Sequence, residues 1–136
     1  ALLARRYVDM VVEDVKKIPA YGEGVRRVVL YINPNFTWVK AALNNDVKSA
    51  IAAGTPPQLA KRLVELVRTL GDEVRSLIAA VENFDEREAL LSYKNYVEKA
   101  LGAPVEVYTA EDPAAPDLGG KKKAALPLKP GIFIER

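Results

Sequence analysis

Histidine and cysteine are both absent from the 136 residues of this chain. Without cysteine, disulfides and thiolate metal sites are excluded. Without histidine, the side chain most often used for acid–base chemistry near neutral pH is missing. Methionine and tryptophan occur once each, as Met10 and Trp38. No apolar run is long enough to span a membrane, and no secretory leader pattern is visible. Neither sign of charge is in clear excess. Lys and Arg number 20 against 18 Asp and Glu, a net charge of +2 that does not by itself mark a nucleic-acid binder. The chain starts at Ala1 rather than at a methionine, so it is read as a fragment of a longer protein or a product from which the start has been lost.

What is present is enough apolar material, 49% of residues, for one real core. Leu3, Tyr7, Met10, Val11, Val15 and Ile18 recur at helical spacing until Pro19 stops them. This stripe has no covering layer nearby, so the helix is expected to come from a bundle lying mostly outside the chain. Residues 20–24 read as a linker and 25–136 as one domain. Val25 to Ile32 is a β-branched, apolar strand, and its Val28 to Ile32 core is expected to be buried on both faces. Asn33-Pro34 then reads as a helix start, with Asn as N-cap and Pro at the first helical position. Thr55-Pro56 repeats the signal before a stripe of Leu59, Leu63, Leu66, Val67 and Leu70, ended by Gly71. Residues 72–83 look helical. Asp85 with Glu88 forms a capping box ahead of a helix carrying Ala89, Tyr93, Val97 and Leu101, which stops at Gly102. Pro104 to Thr109 is a second strand, and Ile132 to Glu135 a third. Helices between the first two strands favour parallel pairing. The expected class is α/β (α+β): a small three-stranded mixed sheet covered by helices.

The chemistry-bearing patterns are few. Gly22-Glu23-Gly24 precedes a strand, whereas a dinucleotide fingerprint follows one, so it reads as a linker. The acidic pairs Glu13-Asp14, Asp72-Glu73 and Glu111-Asp112 do not converge as a metal site requires. Trp38 reads as a core or interface aromatic, with base stacking as the sharper alternative. At least one of Arg26 and Arg27 should be exposed. Lys61, Arg62 and Arg68 read as a solvated helix face. Lys121, Lys122 and Lys123 differ: three adjacent ammonium groups beside Gly119-Gly120, in a loop just before the last strand, lack acids to pair with. A polyanion bound there gains from counterion release.

The tail carries a resemblance. Ala-Leu-Pro-Leu-Lys-Pro-Gly-Ile-Phe-Ile-Glu, from Ala125 to Glu135, resembles the extreme C-terminus of archaeal-type leucyl-tRNA synthetases. Val105 to Tyr108 with Glu111-Asp112-Pro113 is similar to the strand and loop before that tail. Val28 to Ile32, with Pro34 and Trp38, resembles the first strand and first helix start. Tyr7 to Ile18 resembles the last helix of the family's anticodon-binding bundle, which assigns residues 1–19 to it. The resemblance implies a C-terminal domain that grips the long variable arm of leucine tRNA. Carried over by position, it puts Ile134 and Glu135 near splayed bases, with Lys129 and Pro130 supporting the turn. The lysine run is placed on phosphates by charge alone. The family ends at the Glu, whereas this chain continues to Arg136.

The class I nucleotide-binding signatures contain histidine or a Lys-Met-Ser-Lys-Ser run, and this chain has neither. The resemblance therefore implies a parent leucine–tRNA ligase, cytoplasmic and using ATP and Mg2+, with no catalytic or cofactor site in this stretch. Its partners are leucine tRNA and the upstream domains of the same synthetase, with no membrane. The alternative is a protein-interaction module whose Ile132 to Glu135 strand adds to a partner's sheet. A small enzyme is disfavoured by the missing histidine and the lack of convergent carboxylates.

Overall fold

The computed structural model describes residues 2–136. In chain order the elements are α1 (Leu2–Lys16), β1 (Arg27–Ile32), α2 (Phe36–Ala42), α3 (Val47–Ala52), α4 (Pro57–Thr69), α5 (Asp72–Ala80), α6 (Glu86–Ser92), α7 (Lys94–Leu101), β2 (Val105–Thr109), a 3-10 segment (Leu118–Ala124) and β3 (Gly131–Glu135). None of these helices is long and apolar enough to cross a membrane. Two compact units emerge. Residues up to Asn33 join those from Asp85 onward, and Pro34–Phe84 forms the other.

The first unit holds the sheet, in the order β2-β1-β3. β1 pairs parallel with β2, Val28 opposite Val105 and Ile32 opposite Thr109. It pairs antiparallel with β3, Arg27 opposite Glu135 and Tyr31 opposite Gly131. The mixed three-stranded sheet and the parallel first pair are as the sequence suggests. A central strand is buried on both faces, and Val28 to Ile32 are all buried. α6 and α7 lie against β2, and α1 packs across both helices. Leu3, Tyr7, Val8, Val11, Val12 and Val15 are the buried stripe of α1. The cover for that stripe is thus inside the chain, contrary to the expectation of a missing layer. It was hidden because α6 and α7 lie some eighty residues downstream.

Other local readings are corrected as well. Asn33 does not cap a helix: it is buried, and its Nδ2 donates to the carbonyl of Ala125 at 3.4 Å. α2 instead starts after Asn35, whose side chain makes no capping bond. Gly71 does not end α4, which stops at Thr69; it is the N-cap of α5. The expected helix from Asp85 to Leu101 is two helices, α6 and α7, broken at Tyr93 (φ −104°, ψ 18°). The Asp85 cap is present, Oδ1 accepting from Glu88 N–H at 3.0 Å. Gly102 closes α7 in the left-handed region at φ +69°, where glycine carries no Cβ penalty.

The second unit is a cluster of short helices. Ala60, Leu63, Val64 and Val67 form the buried stripe of α4. Asp46, not foreseen as a cap, accepts from Lys48 N–H at 2.9 Å and opens α3. Thr55 is not the cap of α4: Pro56 takes that place, and the buried Thr55 hydroxyl has no partner. Trp38 is half-buried, its indole nitrogen lying over Gly54.

The first unit buries a carboxylate, Glu86, only 5% exposed. Its Oε1 accepts from the Tyr7 hydroxyl at 2.6 Å, and its Oε2 from the backbone N–H of Leu128 at 3.1 Å. Burial pushes its pKa from 4.5 up to about 7, partly opposed by these two hydrogen bonds. The folded chain therefore binds this proton more tightly than the unfolded one. The resulting stabilisation is complete below pH 4.5 and is lost as pH rises through about 7. Urea unfolding should show stability falling across this window by up to about 3 kcal/mol. Glu86→Gln, which has no such proton to bind, should flatten most of that slope.

Candidate nucleic-acid interface

The lysine run is not a free loop. Lys121, Lys122 and Lys123 lie in the 3-10 segment, which is kinked at Gly119 and Gly120 (φ +61° and +68°). Two close approaches pin it to β3. A Cβ on Gly119 would come within 3.0 Å of the Phe133 ring, and a Cβ on Gly131 within 2.2 Å of the Lys121 carbonyl oxygen. Only glycine lets the backbones meet this way. Asp117 Oδ1 accepts from Lys122 N–H at 3.2 Å, and the Lys122 ammonium donates to the Asp112 carbonyl at 2.8 Å. Lys121 and Lys123 are exposed. The run thus presents two ammonium groups to solvent and spends the third on its own loop.

A four-residue turn joins this segment to β3. Leu126 and Lys129 exchange two backbone hydrogen bonds, each 2.9 Å. Pro127 and Leu128 sit at its centre, Leu128 with φ +65°, in the pattern of a type II turn with proline at its favoured place. Leu126, Leu128 and Pro130 are buried, and Lys129 is exposed. Lys129 and Pro130 therefore bracket the turn's exit, the one outward and the other inward.

β3 leads away from that turn. At about 3.3 Å per residue, Glu135 lies roughly 13 Å beyond Gly131. Ile134 and Glu135 are half-buried. Glu135 shares a sheet face with Arg27 and Glu106, and the Arg27 guanidinium forks between them. Its Nε donates to Glu135 at 2.6 Å and its Nη1 to Glu106 at 2.5 Å. Glu106 also accepts from the Tyr108 hydroxyl at 2.7 Å. The Arg27 hydrogen bond, then that of Tyr108, holds the Glu106 carboxyl below its ordinary pKa. The same contacts raise Arg27 and Tyr108. Arg136 reaches back, donating to the carbonyls of Ala20 at 3.1 Å and Glu23 at 2.7 Å.

The predicted residues therefore fall into two groups on one continuous segment. Lys121, Lys122, Lys123, Lys129 and Pro130 gather at the foot of β3, and Ile134 and Glu135 stand at its far end. Among the described residues β3 pairs only with β1, so its outer edge offers unpaired backbone donors and acceptors. Sequence reasoning missed Arg27 as the carboxylate fork and Glu86 as the support of the turn. An arginine opening a strand was the one available signal for the first.

No family profile matches the chain, and no solved structure does. Curated proteins do, and they are aminoacyl-tRNA ligases. The chain is 71% identical over all of its 136 residues to a leucine–tRNA ligase of Pyrobaculum aerophilum. It is 35% identical over 135 residues to that of Pyrococcus furiosus, and 29% over 145 to leucine–tRNA ligase 1 of Saccharolobus solfataricus. It covers 14%, 13% and 15% of those proteins respectively. Over its whole length the chain is thus similar to a stretch of archaeal leucine–tRNA ligases that makes up about a seventh of each.

Three substitutions check this geometry. Gly131→Ala should destabilise the chain by about 1–3 kcal/mol in urea unfolding, as overpacking against a fixed carbonyl does. Gly22→Ala, with open space around it, should change stability by under about 0.5 kcal/mol. In an NMR titration, Arg27→Ala should move the Glu106 carboxyl upward toward the ordinary carboxylate range, with the Tyr108 hydrogen bond keeping part of the lowering.

Proposed function

We propose that this chain is a non-catalytic tRNA-binding C-terminal domain of a leucine–tRNA ligase. It recognises the long variable arm of leucine tRNA and positions that tRNA for aminoacylation carried out elsewhere in a cytoplasmic parent enzyme. In this reading residues 1–19 are the last helix of the anticodon-binding bundle, and 25–136 make the arm-binding domain.

One observation carries the reading. The lysine run is locked to the foot of β3 by the approach of the Lys121 carbonyl to Gly131, so cations and strand form one preorganised surface. Lys121, Lys123 and Lys129 then meet phosphates, giving affinity and register without sequence information. Duplex RNA hides its bases in a deep groove, so a protein reads them at loops and ends. The Pro130–Glu135 segment suits such a tip, reading by backbone groups and by the shape of Ile134. Glu135 takes part with its carboxylate already held by Arg27.

ATP and Mg2+, which the parent needs, do not fit the residues here. Among the described residues no three acidic side chains gather, and no glycine-rich turn leads from a strand into a helix to cradle phosphates. The open outer edge of β3 favours one second reading, in which a protein partner adds a strand there.

Gel shifts with leucine tRNA, intact or lacking its variable arm, separate the two. The chain should bind the intact tRNA more tightly, and equal binding of both sinks the arm-recognition reading. Changing Lys121, Lys123 and Lys129 together to Ala should lower the salt slope of log K by roughly 0.7–0.9 for each phosphate no longer neutralised. An unchanged slope removes those lysines from the phosphates.

A further inference from the structure

We infer that Glu86 is the positioning residue for the tail: from inside the domain its carboxylate holds the Leu126–Lys129 turn in the one conformation that presents Lys129 and the foot of β3 to RNA. The inference rests on the tRNA-binding reading above and assigns that site its support.

The turn's own hydrogen bonds run between Leu126 and Lys129. They leave the N–H of Leu128, at the centre, unused. Leu128 adopts φ +65°, a region that glycine and asparagine enter readily and leucine does not. Two things keep it there. Its side chain is buried at 4% exposure, and its N–H donates to Glu86 Oε2. The carboxylate is only 5% exposed, so bulk water competes little for the bond. The other carboxylate oxygen is fixed by Tyr7 of α1, which stops the side chain from turning away. A charged acceptor makes the stronger hydrogen bond to a backbone amide.

Both arms of the proposed RNA surface hang on this turn. Upstream, Ala125 N–H bonds to the Lys122 carbonyl. Downstream come exposed Lys129, buried Pro130 and Gly131, the residue that touches Lys121. Were Leu128 to relax to the usual negative φ, Lys129 would change its direction and the foot of β3 would lose its register with the lysine segment. The ionisable groups about Glu86 are Asp85 on its own helix, and Tyr7 with Asp14 near it on α1. None of them is cationic, so nothing but the two hydrogen bonds offsets its burial. Its proton consequently comes off near neutral pH, which gives the clamp a signature that a passive core residue lacks.

Amide hydrogen exchange and tRNA gel shifts on the full 136-residue chain test this with wild type, Glu86→Ala and Glu86→Gln. Glu86→Ala should speed exchange at Leu128 and Lys129 about tenfold, the loss expected for one hydrogen bond to a charged group, with amides of α7 unchanged. It should weaken leucine tRNA binding by a similar factor while leaving the salt slope intact. Glu86→Gln retains one acceptor for Leu128 and a donor for Tyr7, so it should restore tRNA binding. Its Leu128 protection should no longer vary across neutral pH, as it does in wild type. Unchanged tail amides in a folded Glu86→Ala chain overturn the clamp. If that variant unfolds, seen as lost protection in α7, identical pH profiles for wild type and Glu86→Gln overturn it instead. Faster tail exchange with unaltered tRNA affinity overturns the positioning role alone. Failure of wild type itself to bind leucine tRNA overturns the tRNA-binding reading and the RNA half of this inference, while the exchange data still decide the clamp.

Discussion

A buried carboxylate costs several kcal/mol unless hydrogen bonds replace the water it gives up. Glu86 gets those bonds from Tyr7 and Leu128, 79 and 42 residues away. This single group therefore joins the first helix, the sixth and the turn that launches the last strand. β3 begins three residues after Leu128. Its pairing with β1, and the sheet face that Glu135 shares with Arg27, follow from how that turn is held. Apolar burial supplies the bulk of the stability here, as in most small folds. It is non-directional, and it would accept several placements of a tail containing Leu126, Leu128 and Ile132. The carboxylate accepts one.

In the proposed tRNA-binding reading, the tail divides the work of binding between chemistries that do not interfere. Ammonium groups at the foot of β3 attract a polyanion over a range set by salt. Further along, Arg27 stands between two carboxylates, Glu106 and Glu135. That trio keeps one negative charge in excess and does not attract phosphate, which leaves shape and backbone hydrogen bonds to decide what fits. Glycines at 119 and 131 make the division possible, because they let the cationic segment lie directly on the strand.

Much of the fold was legible in the sequence. The three strands were placed to within a residue or two, because β-branched runs such as Val28 to Ile32 have no good alternative. Helix stops and starts were readable where the signal is local, as at Gly102 and Asp85. They failed where a distant partner wins. Asn33 gives up capping for a carbonyl 92 residues away, and Tyr93 breaks a helix whose apolar spacing continues through it. The candidate surface was half legible. A lysine run announces itself by charge, but the fixing of its backbone depends on Gly131, further down the chain. Glu86 was invisible. One glutamate in a capping sequence looks like any other until the fold buries it.

Arg136 spans two carbonyls of the segment that leaves α1, at Ala20 and Glu23. The end of the edge strand and the exit of the first helix are thereby one mechanical joint. Load applied along β3 passes through a guanidinium into residues 20–23 as well as sideways into β1. An edge strand anchored at its tip resists peeling, because the first bonds to be loaded are not the ladder's own. The segment that composition marks as a slack linker is where pull on the tail is shared with α1.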